Sequence, residues 1–217
     1  MVSKHIIFDF DGTLGDTRHN IVVTFQATMR DMGLEVRSVE ECVATIGLTL
    51  EDGFLQLYPT MSREEAERCV DRYRDIFNRS IEELMPQCFE GVHSTLDELH
   101  RRGVTMSIAS SRSMPSLLLF MQNMGIADYF CYTLGSDSVL HHKPHPEPVL
   151  KTLEMLDLKP SEVVVVGDMP VDIAMARGAS VRSVGVTYGN STREELAAAG
   201  ADYVIDSITE LLTIEEL

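Results

Sequence analysis

The sequence predicts an α/β fold: a parallel sheet covered on both faces by helices and interrupted after its first strand by a helical insert. Three observations carry that expectation. An apolar run, His5-Ile6-Ile7-Phe8, ends on Asp9-Phe10-Asp11-Gly12-Thr13. A long stretch of helical periodicity follows it, and from Pro86 onward strand-like and helix-like segments alternate. At 217 residues, 44% of them hydrophobic, the chain is long and apolar enough to bury a core without disulfides.

The first run reads as a buried strand, along which residues i and i+2 point to the same side, so Asp9 and Asp11 are expected to emerge together at the sheet's carboxyl end, where α/β sheets bind ligands. From about Thr17 to Met32 the pattern is helical, and it stays so up to about Leu84. Ser38-x-x-Glu41 and Ser62-x-x-Glu65 are capping-box signatures. Between Arg63 and Leu84, apolar Ala66, Cys69, Val70, Tyr73, Phe77, Ile81 and Leu84 recur at helical spacing. The expected division is therefore an α/β core of residues 1–16 and 86–217 with a helical unit of residues 17–85 inserted. Hinges are expected near Gly15 to Arg18 and near Glu82 to Pro86. In the second part, Thr105 to Ala109, Cys131 to Leu134, Val163 to Val166, Ser183 to Val186 and Tyr203 to Ile205 read as strands. The unbroken valines mark a central strand, and Gly178 and Gly200 fall where helices should stop.

Composition excludes several classes of partner. The formal net charge of −16 is spread along the chain, which argues against a nucleic-acid or anionic-membrane surface and leaves small anions to be held by local cations. It leaves the oligomeric state open. Cys42, Cys69, Cys88 and Cys131 stand far apart without a Cys-x-x-Cys pair, so neither a zinc site nor a disulfide framework is expected and a cytoplasmic location is the default. Asp9 and Asp11 break the first apolar run, and no stretch approaches membrane-spanning length, so neither a signal peptide nor a transmembrane helix is expected.

Two carboxylates one residue apart need a shared counter-charge, and a hard divalent cation with oxygen ligands, Mg2+ above all, supplies it. Gly12 can bring backbone N–H groups close to an anion. Gly167-Asp168-Met169-Pro170-Val171-Asp172 again sets carboxylates at a strand's carboxyl end, where Asp168 could complete a metal site or cap the next helix. Ser110-Ser111-Arg112-Ser113 supplies hydroxyls and N–H groups suited to phosphate oxygens, although serines at such a place are also caps. Lys143 could supply a cation. The three histidines around it, His141, His142 and His145, lack the helical spacing of a His-x-x-x-His metal site.

The order Asp9-x-Asp11-Gly-Thr, then Ser110, then Lys143, then Gly167-Asp168-x-x-x-Asp172 resembles the haloacid dehalogenase superfamily over essentially the whole chain. Within it, the helical insert resembles a C1 cap. Ile46-Gly47-Leu48-Thr49-Leu50-Glu51-Asp52 and Lys143-Pro144-His145-Pro146-Glu147-Pro148 resemble the phosphoglycolate phosphatase-like branch. The resemblance implies a Rossmann-like core and a Mg2+-dependent phosphate monoester hydrolase acting on a small phosphorylated metabolite, phosphoglycolate first among candidates. It makes Asp9 the nucleophile and Asp11 the acid that protonates the leaving oxygen and then activates water. Mg2+ would be held by the Asp9 carboxylate, the Asp11 backbone carbonyl and Asp168, with Asp172 behind them. Ser110, Ser111 and Lys143 would bind the transferring group, and Gly47, Leu48, Thr49 and Leu50 would set specificity.

Dehalogenase relatives do not need Asp11, and phosphonate cleavage would need a lysine in the insert, where residues 17–84 have none. A sugar phosphomutase of this cap type would carry an Arg and a His where Leu50 and Ile21 stand, although His19 lies close by. An inorganic pyrophosphatase would need only a different pocket. A regulatory module without catalysis would not need all the charged motif residues.

Overall fold

The computed structural model describes residues 4–81 and 83–214; Glu82, at the start of the second expected hinge, lies outside them. Six strands form a parallel sheet in the order β5-β4-β1-β6-β7-β8, built from β1 (His5–Phe8), β4 (Thr105–Ala109), β5 (Phe130–Leu134), β6 (Val163–Gly167), β7 (Arg182–Val186) and β8 (Tyr203–Ile205). The expected strands recur within a residue of their predicted bounds. β1 lies between β4 and β6, with His5 paired to Thr105 on one side and to Val163 on the other.

Side-chain alternation divides the core between the two faces of the sheet. Ile6, Phe8, Met106, Ile108, Val164 and Val166 point to one face, where α5 (Val92–Arg101) and α6 (Met114–Asn123) cover them. Ile7, Val163 and Val165 point to the other, against α7 (Glu147–Met155) and α8 (Pro170–Gly178). The last helix, α9 (Arg193–Ala199), stops at Gly200 in the left-handed conformation.

Among the described residues, four α-helices lie between β1 and α5 in sequence: α1 (Arg18–Asp31), α2 (Val39–Val43), α3 (Leu50–Leu57) and α4 (Arg63–Ser80). Both expected capping boxes form, at Ser38 with Glu41 and at Ser62 with Glu65. Each satisfies backbone N–H groups that a helix start leaves orphaned, typically for about 1 kcal/mol. The apolar stripe of α4, Ala66, Cys69, Val70, Tyr73 and Phe77, is buried as its spacing predicts. Tyr73 and Phe77 carry this helix onto Phe25 of α1 and Phe120 of α6, with ring centroids 5.0 and 5.8 Å apart.

One element was not legible as periodicity: a two-strand antiparallel ribbon, β2 (Gly15–Asp16) against β3 (Gln87–Cys88). The chain enters and leaves the four-helix segment through it. Among the described residues, no helix is long and apolar enough to cross a membrane.

Candidate active site

The site begins where β1 stops. The N–H of Asp9 donates to the Val166 carbonyl at 2.8 Å, continuing the pairing with β6 by one residue and fixing Asp9 at the sheet's carboxyl edge. Lys143 reaches it from the segment after β5, its Nζ 2.5 Å from Asp9 Oδ1 and 2.7 Å from Asp172 Oδ1. All three residues are buried. Burial pushes the Asp9 carboxyl up to about 7; Lys143 pulls it back, and the nearby Asp172 and Asp11 add to the rise. For Lys143, burial disfavours the charge, but Asp172 and Asp9 outweigh it and hold the ammonium above its ordinary value.

Asp168, fully buried at the end of β6, is the third carboxylate of this cluster. Burial, then Asp9 and Asp172, raise it well above the usual carboxylate range. Its Oδ2 accepts from the backbone N–H and the side-chain amide of Asn190, both at 2.8 Å, and its Oδ1 accepts from the Thr13 hydroxyl at 3.3 Å. Arg18 Nε in turn donates to the Asn190 amide oxygen at 2.9 Å, which fixes which way that amide faces. Gly12 has φ +91°, and a Cβ there would sit 2.2 Å from Asp168 Oδ2, so the turn and the carboxylate both require glycine. Asp172 is both a cap and a charge partner: its Oδ2 accepts from the Met169 N–H at 3.1 Å at the start of α8, while Oδ1 faces Lys143.

Asp9, Asp168 and Asp172 each offer an oxygen within 4.8 Å of the others. With all three carboxylates ionised against one ammonium, the cluster carries two negative charges in excess. An oxygen-only, doubly negative cluster fits a hard divalent cation.

Asp11 departs from the expectation that it would emerge beside Asp9. Regular strand geometry ends at Phe8, so the period-two rule does not extend to Asp11. Its carboxylate turns away from the cluster to Arg112, whose Nη2 lies 2.6 Å from Oδ1 and whose Nε is 3.1 Å from each oxygen. Arg112 packs beneath two rings, 4.6 Å from the Phe120 centroid and 5.7 Å from that of Phe77.

The Ser110 hydroxyl accepts from the Arg112 N–H at 3.1 Å and stays beside the strand end. The Ser111 hydroxyl donates to the Gly47 carbonyl at 2.6 Å, so it ties the loop before α3 to the core instead of turning to the carboxylates. Gly47, at φ +93°, presses against Val171 and Met169, where a Cβ would come within 3.1 and 3.4 Å. Leu48, Thr49 and Leu50 follow; Thr49 caps α3 by accepting from the Asp52 N–H at 3.1 Å. With Gly47 they line a cavity of about 750 Å³ that also takes in Asp11 and Arg112, apolar residues such as Phe25, Val70 and Phe77, and polar ones such as Arg74, Asn78 and Ser116. The Nδ1 of His142, which also lines the cavity, is buried without a partner among the described residues. His141 and His145, despite their spacing, do gather at the surface with Glu147; their rings stack at 4.5 Å and Glu147 accepts from His141 at 2.7 Å.

Sequence reasoning missed Arg112 and Asn190. The signal for Arg112 was a cation two residues after Ser110 at a strand's carboxyl end. Asn190 had no local signal, because its partner is 22 residues away.

The profile of haloacid dehalogenase-like hydrolases matches residues 6–186 of this chain. IndB of Dickeya dadantii, a probable phosphatase, is 34% identical over 212 residues, 95% of this chain and 91% of its own length. The pyrophosphatase PpaX of Bacillus mycoides is 31% identical over 96% of this chain and 95% of its own. The phosphoglycolate phosphatase of Salmonella typhimurium is 30% identical over 96% and 91%. The crystal structure of a haloacid dehalogenase-like hydrolase from Bacteroides fragilis superimposes with a TM-score of 0.92 at 30% identity, covering 96% of this chain and 99% of that one. The chain therefore belongs to the haloacid dehalogenase-like hydrolases. Within that family it is an enzyme of the phosphatase type.

Proposed function

We propose that the protein is a Mg2+-dependent phosphate monoester hydrolase that works through a phosphoaspartyl intermediate on Asp9. The observation that carries this reading is the buried Asp9 carboxylate, paired at 2.5 Å with Lys143 and grouped with Asp168 and Asp172 at one sheet edge. A phosphate dianion about 4 Å from a carboxylate is repelled by roughly 8 kcal/mol at an effective dielectric of 20. Lys143 offsets part of that repulsion and, with Ser110, holds the transferring oxygens. Mg2+, held by the Asp9 carboxylate, the Asp11 backbone carbonyl and Asp168 with Asp172 behind them, would offset the rest and polarise the phosphoryl group.

Asp9 attacks phosphorus as the ester bond breaks, and Asp11 gives its proton to the leaving oxygen. Asp11 then takes a proton from the water that attacks the phosphoaspartate, returning Asp9 and releasing phosphate. Residues 17–85 serve as a cap on a core of residues 1–16 and 86–217, closing the cavity against water. The proposed compartment is the cytoplasm, in keeping with four free cysteines.

Phosphoglycolate is the first candidate substrate, supported by the Salmonella relative and by the motifs around Gly47 and Lys143. Pyrophosphate is the second reading, supported by PpaX. The test is phosphate release from phosphoglycolate, pyrophosphate, sugar phosphates and nucleotides, with Mg2+ or excess chelator. Asp9→Asn should lower the rate by about 10⁴-fold or more, as expected for loss of a covalent nucleophile. Near-normal release by that variant would sink the phosphoaspartyl mechanism.

A further inference from the structure

Asp11 has two demands on its oxygens. The hydrolase reading needs them at the leaving oxygen of the substrate, yet three hydrogen bonds commit them to Arg112. The Arg112 side chain is about nine-tenths buried and packs against the rings of Phe77 and Phe120, so on leaving Asp11 it has no ready partner in solvent. Removing one member of such a pair leaves an uncompensated buried charge, which is strongly unfavourable. Asp11 can leave Arg112 without that penalty only if another anion takes its place.

The cavity gives that anion access. Asp11 and Arg112 both line it, as does a second cation, Arg74, and the apolar side chains of Ile21, Phe25, Val70 and Phe77 strengthen charge pairing beside them. Building outward from Asp11 sets the distance. A leaving oxygen hydrogen-bonded to Asp11 would lie two hydrogen-bond lengths, roughly 5–6 Å, from the guanidinium. An anionic oxygen two or three bonds beyond that leaving oxygen spans the gap.

We propose that Arg112 is the specificity-determining residue of the leaving-group pocket: it binds a carboxylate or phosphate carried by the leaving group and gives up Asp11 in exchange, and the released Asp11 takes from solvent the proton that it then donates. The proposal rests on the hydrolase reading above and names its substrate class: phosphate groups whose leaving oxygen bears a second anion, attached directly or through one carbon. The planar fork of arginine suits both anions bidentately. The glycolate ester supplies a carboxylate beyond one carbon; pyrophosphate supplies oxygens on the phosphorus itself. A neutral leaving group cannot make the exchange, so Asp11 stays with Arg112 and the leaving oxygen goes without its proton donor.

The experiment compares phosphoglycolate with its amide, which has the same size and no second charge, and adds pyrophosphate as a third arm. In the wild type, kcat/KM for the acid should exceed that for the amide by about 100-fold, the scale of a charged hydrogen bond made or left unmade. Arg112→Met should shrink that preference to within about threefold, mainly by raising KM for the acid, and Arg112→Lys should keep part of it. Which of phosphoglycolate and pyrophosphate loses more in Arg112→Met identifies the anion that the residue reads. Equal wild-type kcat/KM for acid and amide would overturn the proposal even if the variants failed to fold, and so would a preference that survived in Arg112→Met. Those outcomes leave the hydrolase reading standing. Mg2+-dependent release from none of the three would overturn that reading, and this inference with it.

Discussion

At the amino end of β1, His5 is wholly buried and each of its ring nitrogens meets a hydroxyl, Thr105 Oγ1 and Ser107 Oγ, both at 2.7 Å. At the carboxyl end of the same strand, Asp9 is almost as deeply buried and faces Lys143 with two more carboxylates close by. Burial acts on both and drives them in opposite directions, His5 down to about 4 and Asp9 up to about 7. The histidine is neutral and has a partner for each nitrogen. The aspartate sits among charges that do not cancel without a cation. One end of the strand has been settled by folding alone, and the other has been left for a ligand to settle, which is how a functional site departs from the local consistency of the rest of a fold.

The largest test of this contrast removes the charge partner at the carboxyl end. Lys143→Met leaves three buried carboxylates facing one another and should destabilise the protein by about 3–5 kcal/mol in chelator, with Mg2+ recovering part of the loss. Urea unfolding with and without Mg2+ measures both. An unchanged midpoint would mean that protons already neutralise the cluster.

A smaller effect should come from adding the cation to the wild type. Mg2+ at 100 times its dissociation constant should add about 2.7 kcal/mol of stability, read as a rise in Tm. Asp168→Asn should remove that rise, whereas His5→Gln should keep it. If Asp168→Asn retained the full increment, Asp168 would not be a ligand.

The smallest effect belongs to the amino end. Folded His5 stays neutral down to about pH 4, whereas in the unfolded chain it takes up its proton near 6.5. The stability it contributes is full above pH 6.5 and is lost as the pH falls toward 4. Between pH 7 and 5 that loss is about 2 kcal/mol. Asp9, raised in the fold, gains stability over the same fall in pH, so the quantity to measure is the difference between wild type and His5→Gln at the two pH values. Identical slopes for the two proteins would remove His5 from the account.

The sequence made this contrast only half legible. The strands and the capping boxes at Ser38 and Ser62 could be read because their signals are local: apolar runs, a hydroxyl and a glutamate three residues on. Asp9, Lys143, Asp168 and Asp172 could be read as a set through their order along the chain. Whether they touched depended on parallel pairing of β1 with β6, which joins residues far apart in sequence. Arg112 was read as part of a hydroxyl-rich turn because its partner, Asp11, is 101 residues away. The β2–β3 ribbon was invisible because two-residue strands are too short to show a period. Ser111 had the right chemistry for phosphate, but its bond to Gly47 depends on where the loop before α3 comes to rest.

That ribbon also bears on how the molecule assembles. β1 and β4 are neighbours in the sheet, yet α1 to α5 separate them in sequence, so pairing Phe8 with Ile108 in the open chain means closing a long loop. Zipping Gly15–Asp16 to Gln87–Cys88 first bypasses the helical segment. The loop still to be closed then shrinks by roughly two doublings, which lowers the entropic barrier to joining β1 and β4 by about 1 kcal/mol. Closing the ribbon itself spans the helical segment, so the two short strands divide one long closure into two steps and leave only a short loop for the central sheet.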